Sequence, residues 1–536
     1  MNYIKSLHIE GFKKFRTLDV EFNEHMNILV GENEAGKSTL LDAIKTVLNQ
    51  QYRLADKSVL RDLFNAQMVE EFEANPSVKT LPRILIEVEL VLDPKTKNAD
   101  YFYGEVYGQR KQQFEVYGTL KKQDEKFGIR FECKYDELLG AGMEQAILEK
   151  KIPYEYYVLT WMTFANNPYQ TIRRPLQFLA IETTSNATAP SFNTYNRTLF
   201  TSRYDEATRA KAKNDFRTKL VEAFDATELP ELGDNRKFGV DTKKVVLETI
   251  LSVYEGAIAL ENRGSGMESL IKTEIALEKA NGLDVILMEE PENHLSFTTL
   301  RKMLHEISAK QKDSQIIVAT HNNMIASRLN LNNVLWITDG VVKSLSKVDK
   351  DVAEFFVKAD DNAFLQLLLS NKVFLVEGAT EFLLLPLFYK QITGKTIEED
   401  GISVISCNGI SYKNYLEIAK KTSKKICVIT DNDGKQNRID EATTFNKTNT
   451  LQHIFLGTTT DDWTWEACLY NLNQTALDGM IEVQAGADYL FHKKDYGQVL
   501  GKMLNNKVET AYKMLLSKTA FEVPQYIKDA IEWLRA

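Results

Sequence analysis

Carboxylates that follow two apolar runs are the residues of this sequence best suited to do chemistry. The run Val373 to Val376 ends at Glu377, and the run Ile426 to Ile429 is soon followed by Asp431 and Asp433. Both runs have the length and β-branched character of buried parallel strands, whose carboxyl ends meet at one edge of a sheet. Gathered carboxylates raise one another's pKa or require a cation. Their hard oxygen atoms indicate Mg²⁺ or Mn²⁺.

The two strand ends resemble the signatures of a TOPRIM domain, the metal-binding fold of topoisomerases, primases and certain nucleases. Glu377-Gly378 matches the first signature, and the Asp431-x-Asp433 pair matches the second. Either motif alone is also an ordinary turn, because Asp, Asn and Gly favour turns. Alternating strand and helix patterns from Gly401 to Leu469 predict a parallel α/β domain around both motifs.

A phosphate-binding motif lies near the start of the chain. A buried-strand pattern at Met26 to Val30 precedes a complete G-x-x-x-x-G-K-S loop, and a helix pattern from Leu40 to Leu48 follows it. In this setting backbone N–H groups wrap a phosphate chain, while the lysine reaches the β- and γ-phosphates and the serine coordinates Mg²⁺. The motif predicts a site for ATP with Mg²⁺ formed by Gly31, Asn33, Gly36, Lys37, Ser38 and Thr39.

Acidic residues and a histidine follow two later predicted strands. Asp284 to Met288 predicts a strand that ends at Glu289, interpreted as the acid on the metal side, and Glu290, interpreted as the base that activates water. The strand predicted at Gln315 to Ala319 leads to His321, which resembles the γ-phosphate-sensing histidine of ABC-type ATPases. The first half of the chain is therefore expected to be an ATPase.

A Gly-Ser-Gly segment before the strand at Asp284 indicates how two copies would meet. Ser265 and Gly266 open a predicted helix and resemble a shortened ABC signature loop, in which a serine and a helix N-terminus contact the γ-phosphate held by a second subunit. Gly-Ser-Gly is also a frequent linker. In the signature interpretation, ATP lies between two heads of a homodimer, or of a tetramer.

The segment between the phosphate loop and the signature predicts an insertion, over about residues 95–250. Alternating patterns at Ile84 to Leu92, Glu115 to Leu120 and Gly128 to Phe131 predict antiparallel strands that extend the head. Tyr204 to Phe224 predicts a charged helix and is the candidate dimerisation segment, whereas Asn186 to Asn196 predicts a loop.

The phosphate loop, the Glu-Glu-Pro-Glu-x-His-Leu segment at 289–295 and the Val-Glu-Gly-x-Thr-Glu segment at 376–381 together resemble the OLD family of ATP-dependent nucleases. That family includes the nuclease subunit of the Gabija anti-phage system. The resemblance implies an α/β fold with an ABC- or SMC-like ATPase head at 1–350, a linker helix at 351–371 and a Rossmann-like TOPRIM nuclease domain at 372–536.

The resemblance also implies which residues cut DNA. The family's acids bind two divalent ions and fall on Glu377, Glu381, Asp431, Asp433 and Glu466. The family's assisting lysine falls on Lys507, with Lys502 as a close alternative, because Val508 stands where the family commonly has glycine. Glu466 could also simply begin a helix, and Lys507 could be an ordinary surface lysine.

Length and composition narrow the class of protein. The 536 residues suffice for two to four domains, and the four cysteines form no Cys-x-x-Cys pair, which favours buried thiols over a zinc site. No apolar run has membrane-spanning length and no signal peptide is evident, so a cytoplasmic protein without a membrane partner is expected. The net charge of −9 is unlike that of a nucleic-acid coat protein, but acids concentrated in metal sites remain compatible with DNA binding.

The leading hypothesis is an ATP-regulated, metal-dependent DNA endonuclease acting in anti-phage defence. The Gabija resemblance implies a helicase partner, although a retron or stand-alone nuclease is equally compatible. The alternative is a RecF-like DNA-repair ATPase that binds DNA in response to ATP and does not cut it. A primase or topoisomerase is disfavoured, because no zinc module or marked nucleophile is present. The sequence leaves open whether ATP activates or restrains cleavage.

Overall fold

The computed structural model of the chain describes residues 1–106, 126–142, 149–182, 190–227, 229, 236, 238–278, 282–310, 314–346, 348–358, 363–407, 409, 411–422, 424–484, 488–517 and 519–536. These fall into two units, Met1–Ser346 and Lys347–Ala536. The strand predicted at Glu115 to Leu120 lies outside the described residues.

The described residues form eighteen strands, numbered in chain order. They are β1 (Tyr3–Phe12), β2 (Phe15–Glu21), β3 (Met26–Gly31), β4 (Ile84–Val91), β5 (Tyr103–Gly104), β6 (Lys126–Tyr135), β7 (Tyr157–Thr163), β8 (Phe178–Glu182), β9 (Tyr254–Glu255), β10 (Ile258–Ala259), β11 (Val285–Glu289), β12 (Gln315–Ala319), β13 (Val334–Thr338), β14 (Val341–Ser344), β15 (Lys372–Val376), β16 (Ile402–Ser406), β17 (Lys425–Ile429) and β18 (Gln452–Phe455).

Helices follow many of these strands. The α-helices of the described first unit are Lys37–Asn49, Leu60–Leu63, Ala66–Ala74, Pro190–Arg203, Glu206–Asp225, Ser265–Ala276, Phe297–Lys310 and Asn323–Arg328. Those of the described second unit are Lys350–Lys358, Phe364–Leu369, Ala379–Thr393, Tyr412–Ala419, Gln436–Thr448, Trp465–Met480, Gln498–Asn505, Lys507–Leu516 and Gln525–Arg535.

An antiparallel sheet forms one layer of the first unit. It has the order β2-β1-β4-β6-β5, with β7 paired to β6. Successive side chains of a strand point to opposite faces. Leu7 of β1 therefore packs in a core shared with the Lys37–Asn49 helix, whereas His8 lies on the other face, opposite Asp19 and Glu87. The antiparallel strands predicted at residues 84–92 and 128–131 are confirmed as parts of β4 and β6.

A second sheet positions the ATPase motifs. Its order is β14-β13-β3-β12-β11-β8, and all neighbours except the β13 and β14 pair run parallel. The strands β3, β11 and β12 therefore deliver their carboxyl ends to one edge. The phosphate loop, Glu289 and Thr320 follow those three ends, so segments far apart in sequence meet in space.

Two helices occupy the later part of the predicted insertion. The charged helix predicted at 204–224 is confirmed as Glu206–Asp225, and the Asp205 side chain caps it by accepting from Thr208 N–H at 2.8 Å. The loop predicted at Asn186 to Asn196 is wrong from residue 190 onward, where the Pro190–Arg203 helix begins, and its first part, 186–189, lies outside the described residues. Proline is favourable at a first helical position, and the buried side chains of Tyr195 and Leu199 anchor this helix.

The second unit is built on a four-stranded parallel sheet of order β16-β15-β17-β18. This confirms the predicted parallel α/β arrangement. The single helix expected between Asp351 and Ser370 is instead two described helices, Lys350–Lys358 and Phe364–Leu369, and both fall within the second unit. All four cysteines are buried free thiols. Among the described helices, none is long and apolar enough to cross a membrane.

Candidate functional site

Two glycines let the phosphate loop turn tightly between β3 and the Lys37–Asn49 helix. A Cβ atom on Gly31 would lie 2.8 Å from the carbonyl oxygen of Ile337. Gly36 has φ of +108°, and a Cβ atom there would lie 2.3 Å from the Phe15 ring. Any side chain at Gly36 therefore costs both backbone strain and a collision with a buried ring. The side chains of Asn33 and Ser38 are exposed.

Lys37 lies across the loop it follows. Its Nζ donates to the carbonyl oxygens of Gly31 at 2.9 Å and Glu32 at 3.0 Å. Burial lowers the pKa of Lys37, whereas the nearby carboxylates of Glu290 and Glu292 oppose that shift. The charges of these acids therefore act on Lys37, in agreement with two ATPase motifs that meet at one edge of the sheet.

Glu290 and His321 form a direct pair at this edge. Nε2 of His321 lies 2.8 Å from Oε1 of Glu290, and the Asn293 side-chain amide donates to Oε2 of Glu290 at 2.8 Å. Glu290 has φ of 45°, a left-handed conformation that turns the chain just after β11. The predicted base and the predicted γ-phosphate sensor are thus in contact.

Glu292 was not predicted as a member of this site. The Thr320 hydroxyl donates to Oε1 of Glu292 at 2.5 Å, and Oε2 is buried without a hydrogen-bond partner among the described residues. Burial raises the pKa of Glu292. A sequence signal for both residues was present, because Thr320 directly precedes His321 and Glu292 follows the paired glutamates. Their proximity, however, depends on the parallel pairing of β11 and β12.

Ser265 begins the Ser265–Ala276 helix, and its side chain is exposed. Gly266 is buried, and a Cβ atom there would lie 2.4 Å from the carbonyl oxygen of His294. Close packing therefore explains the second glycine of the predicted signature. The described residues leave the helix start accessible, as contact with a second subunit would require.

In the second unit, the pairing of β15 with β17 brings Glu377 to Asp431. Oε2 of Glu377 accepts from the Thr430 hydroxyl at 2.6 Å and from Asp431 N–H at 3.0 Å. Oδ1 of Asp431 in turn accepts from Trp465 N–H at 2.9 Å. The second carboxylate oxygens, Oε1 of Glu377 and Oδ2 of Asp431, accept no hydrogen bond from any described residue. Each acid is thus held by one oxygen.

Glu381 and Glu466 complete the group, which we call the carboxylate cluster: Glu377, Glu381, Asp431 and Glu466. Oε2 of Glu381 accepts from Gly378 N–H at 3.1 Å. Glu466 is 2% exposed, and its oxygens accept from the Thr380 hydroxyl at 3.3 Å and from Lys507 Nζ at 2.9 Å. Lys507, the predicted lysine, therefore forms an ion pair with Glu466, one of the predicted acids.

The pKa shifts of two of these acids reflect the charges of their neighbours. Burial raises the pKa of Asp431 well above its ordinary value, and Glu381, Glu466 and Glu377 raise it further, against the lowering effect of Lys507. Burial also raises the pKa of Glu381 to about 7, with Glu466 again contributing. One lysine does not balance four carboxyl groups.

Two residues of the sequence prediction are not part of the cluster: the predicted metal ligand Asp433 and the alternative lysine Lys502. Asp433 has φ of 52°, and its carboxylate pairs with Arg438 at 2.9 Å and more distantly with Lys435 at 3.9 Å. Lys502 donates to the carbonyl oxygen of Glu482 at 2.5 Å. The structure thus brings Lys507 rather than Lys502 to the acids, and it holds Asp433 beside the cluster through an arginine that the sequence did not mark.

The donor set fits a hard divalent cation in its chemistry, because it combines three buried carboxylates with the partly buried Glu377. It carries excess negative charge, and two of its oxygens accept no hydrogen bond from the described residues. However, no three His, Cys, Asp or Glu side chains of the described chain are arranged closely enough to hold a metal ion. The acids are gathered but not closed around an ion site. The two-ion cage therefore stays a prediction.

Comparison with known proteins defines the class. Residues 2–326 match the family model for the AAA ATPase domain, and residues 368–433 match that for the Overcoming lysogenization defect protein-like TOPRIM domain. The chain therefore belongs to the AAA ATPase domain family, and its second unit carries the TOPRIM domain of the OLD family. The resemblance to OLD nucleases is confirmed, while the relation to Gabija stays a prediction.

Individual relatives are distant. The Old nuclease of Escherichia phage P2 is 24% identical over 208 residues, which cover 36% of this chain and 33% of that protein. The RecF protein of Synechococcus sp. (strain JA-2-3B'a(2-13)) is 29% identical over 92 residues, covering 17% of this chain and 22% of that protein. The chain thus spans a third or less of these curated relatives.

Solved structures give similar partial matches. The C-terminal region of the Burkholderia pseudomallei OLD protein is 17% identical with a TM-score of 0.25, covering 31% of this chain and 97% of that one. An SmcHead bound to the C-winged helix domain of ScpA is 15% identical with a TM-score of 0.33, covering 65% of this chain and 100% of that one.

Proposed function

We propose that this protein is an ATP-regulated DNA endonuclease that uses divalent metal ions. The observation that carries the proposal is the carboxylate cluster at the carboxyl edge of the TOPRIM sheet, with Lys507 bonded to Glu466. Buried acids with a shared lysine cost folding free energy, so a catalytic role explains them better than a structural role does.

The residues of the cluster have separable tasks. Bound divalent ions would supply an activated water and would stabilise the leaving oxygen. Oε1 of Glu377 and Oδ2 of Asp431 are the oxygens best placed to hold an ion, because their partner oxygens are already fixed by N–H and O–H donors. The ammonium of Lys507 would neutralise charge that develops on the scissile phosphate.

The first unit would bind ATP. The phosphate loop and Lys37 hold the triphosphate with Mg²⁺ in this proposal, and Glu290 orients the attacking water while His321 contacts the γ-phosphate. The exposed Ser265 contacts the nucleotide of a second copy, so the active species is at least a homodimer. By its relation to the OLD family, we place the protein in defence against phage, with a helicase as one candidate partner.

The test is nicking of supercoiled plasmid with Mg²⁺ or Mn²⁺ across an ATP titration. Glu377→Ala should abolish nicking, whereas the matched substitution Glu398→Ala, at an exposed glutamate outside the cluster, should leave it intact. Lys37→Ala should remove the response to ATP. Undiminished nicking by both Glu377→Ala and Asp431→Ala proteins would remove the nuclease assignment.

A RecF-like function is the second candidate, and similarity to RecF proteins supports it. In that case the wild-type protein would bind DNA in response to ATP and leave plasmid intact under every metal condition. Measuring DNA binding and cleavage on the same samples separates the two functions.

A further inference from the structure

A cleft of about 270 Å³ opens next to Asp431, between the Tyr412–Ala419 and Gln436–Thr448 helices. Its apolar lining comes from both helices and from the end of the sheet, and comprises Leu416, Ala442, Phe445, Ile454 and Leu456. These residues have no part in the metal or ATP sites described above. This volume lies just below the range of about 300–1,000 Å³ for small-molecule pockets, which suits one ring system rather than a peptide segment.

Polar groups also line the cleft, and one of them, Asp431, belongs to the carboxylate cluster. Nη1 of Arg438 donates to the carbonyl oxygen of Asp431 at 2.9 Å and pairs with Asp433 at 2.9 Å. Tyr412 and Lys413 also line the cleft. The lining further includes Lys420, which is ion-paired with Glu417, and the acidic Glu441. The cleft thus combines apolar side chains with hydrogen-bond donors and acceptors.

We propose that this cleft receives one unstacked nucleobase of the DNA strand whose phosphate lies at the carboxylate cluster. The inference rests on the proposed nuclease function and adds a substrate preference to it. A nucleobase has apolar faces and a polar edge, which match the apolar and polar residues of the lining. Because Asp431 belongs to both the cleft and the carboxylate cluster, a nucleotide next to the scissile phosphate can reach the cleft.

The preference follows from the cost of exposing a base. A base inside a duplex is stacked and paired, so entry into the cleft requires unpairing that costs a few kcal/mol. A single strand or a flap lacks that cost. We therefore expect DNA with an unpaired nucleotide beside the cut to be preferred over continuous duplex.

The test uses synthetic oligonucleotides in which one abasic site is moved stepwise past the cut. Wild-type protein should lose about tenfold in kcat/KM when the abasic site occupies one position, because one buried base contact is lost, and it should tolerate the change elsewhere. An equal rate at every position would overturn the proposal.

Protein variants show whether the cleft is responsible. Ala442→Leu and the larger Ala442→Trp fill the cleft and should cut normal DNA as slowly as wild type cuts the sensitive abasic DNA. Both should be indifferent to the abasic site. Thr443→Trp, an exposed neighbour on the same helix, is the matched control and should behave as wild type. If the Ala442→Leu protein retained the full abasic effect, the base would bind elsewhere and the proposal would fail.

A binding readout separates this inference from the nuclease assignment. Fluorescence anisotropy with labelled five-nucleotide thymidine DNA, with and without abasic replacement, requires no cleavage. Wild-type protein should prefer the intact oligonucleotide, and Ala442→Leu should lose that preference. This result without any plasmid nicking would retain the base site and reject the nuclease. Plasmid nicking without a preference for the intact oligonucleotide would retain the nuclease and reject the base site. Competition by free thymidine monophosphate alone, without dependence on oligonucleotide bases, would indicate a mononucleotide site and would also overturn the proposal.

Discussion

Thr430 holds the carboxylate of Glu377, although it is not itself a metal-binding residue type. Its hydroxyl donates to Oε2 of Glu377 at 2.6 Å, a short bond to a charged acceptor. Replacement by valine removes the hydroxyl and conserves the shape of the side chain. Asp431 N–H would then be the remaining described donor to that oxygen, so Glu377 could rotate away from the cluster.

The expected size of the effect follows from the kind of bond. A hydrogen bond to a charged group contributes about 1.5–3 kcal/mol. Since about 1.4 kcal/mol corresponds to a factor of ten in rate, Thr430→Val should cut roughly 10- to 100-fold more slowly if the full bond energy holds Glu377 in its working position. The concentration of Mg²⁺ or Mn²⁺ needed for half-maximal rate should rise, because a displaced ligand weakens ion binding.

The assay is plasmid nicking at a series of metal concentrations, with three variants compared. Thr430→Ser keeps the hydroxyl and should recover most of the rate. Thr443→Val removes the hydroxyl of a threonine that donates only to a helix carbonyl, the oxygen of Ile439, and should have no effect. If Thr430→Val nicked within twofold of wild type at low metal, Glu377 would not depend on Thr430 and the geometric reasoning would be refuted.

Three further predictions concern other parts of the molecule. Lys507→Met should slow cleavage by about 100-fold or more, as loss of a preorganised charge does, while Lys502→Met should retain activity in the same plasmid assay; the opposite ranking would exchange their roles. Gly36→Ala should weaken ATP binding at least about tenfold by titration calorimetry, because the added methyl group meets the Phe15 ring and the residue has φ of +108°; unchanged affinity would contradict this. Burial lowers the pKa of His8, but its carboxylate hydrogen bonds raise it to about 9 from 6.5. The stabilisation from the charged His8 is therefore complete below pH 6.5 and is lost as pH rises through about 9. In urea unfolding, His8→Gln should have a lower free energy of unfolding than wild type near pH 6, and this difference should disappear near pH 9.5. A difference that stayed constant with pH would refute the charged state of His8.

Local sequence patterns determined the elements that carry the two sites. Apolar runs at Met26 to Val30 and Val373 to Val376 became buried strands, because uninterrupted β-branched and aliphatic residues suit parallel sheets covered on both faces. The glycines of the phosphate loop and the order of the residues around it identified the ATPase motif from the sequence alone. The loop prediction at 190–196 rested on a polar, Pro-containing composition and was wrong, because the burial of Tyr195 outweighed that local composition.

Sequence by itself determined which chemical groups the chain possesses and the strand ends that present them. Only the tertiary structure decided which groups meet. Strand pairing brought Thr320 to Glu292 and Thr430 to Glu377, and helix packing brought Lys507 to Glu466. The physical reason is that a motif constrains its own backbone, whereas hydrogen bonds between distant side chains depend on the register and packing of the whole sheet.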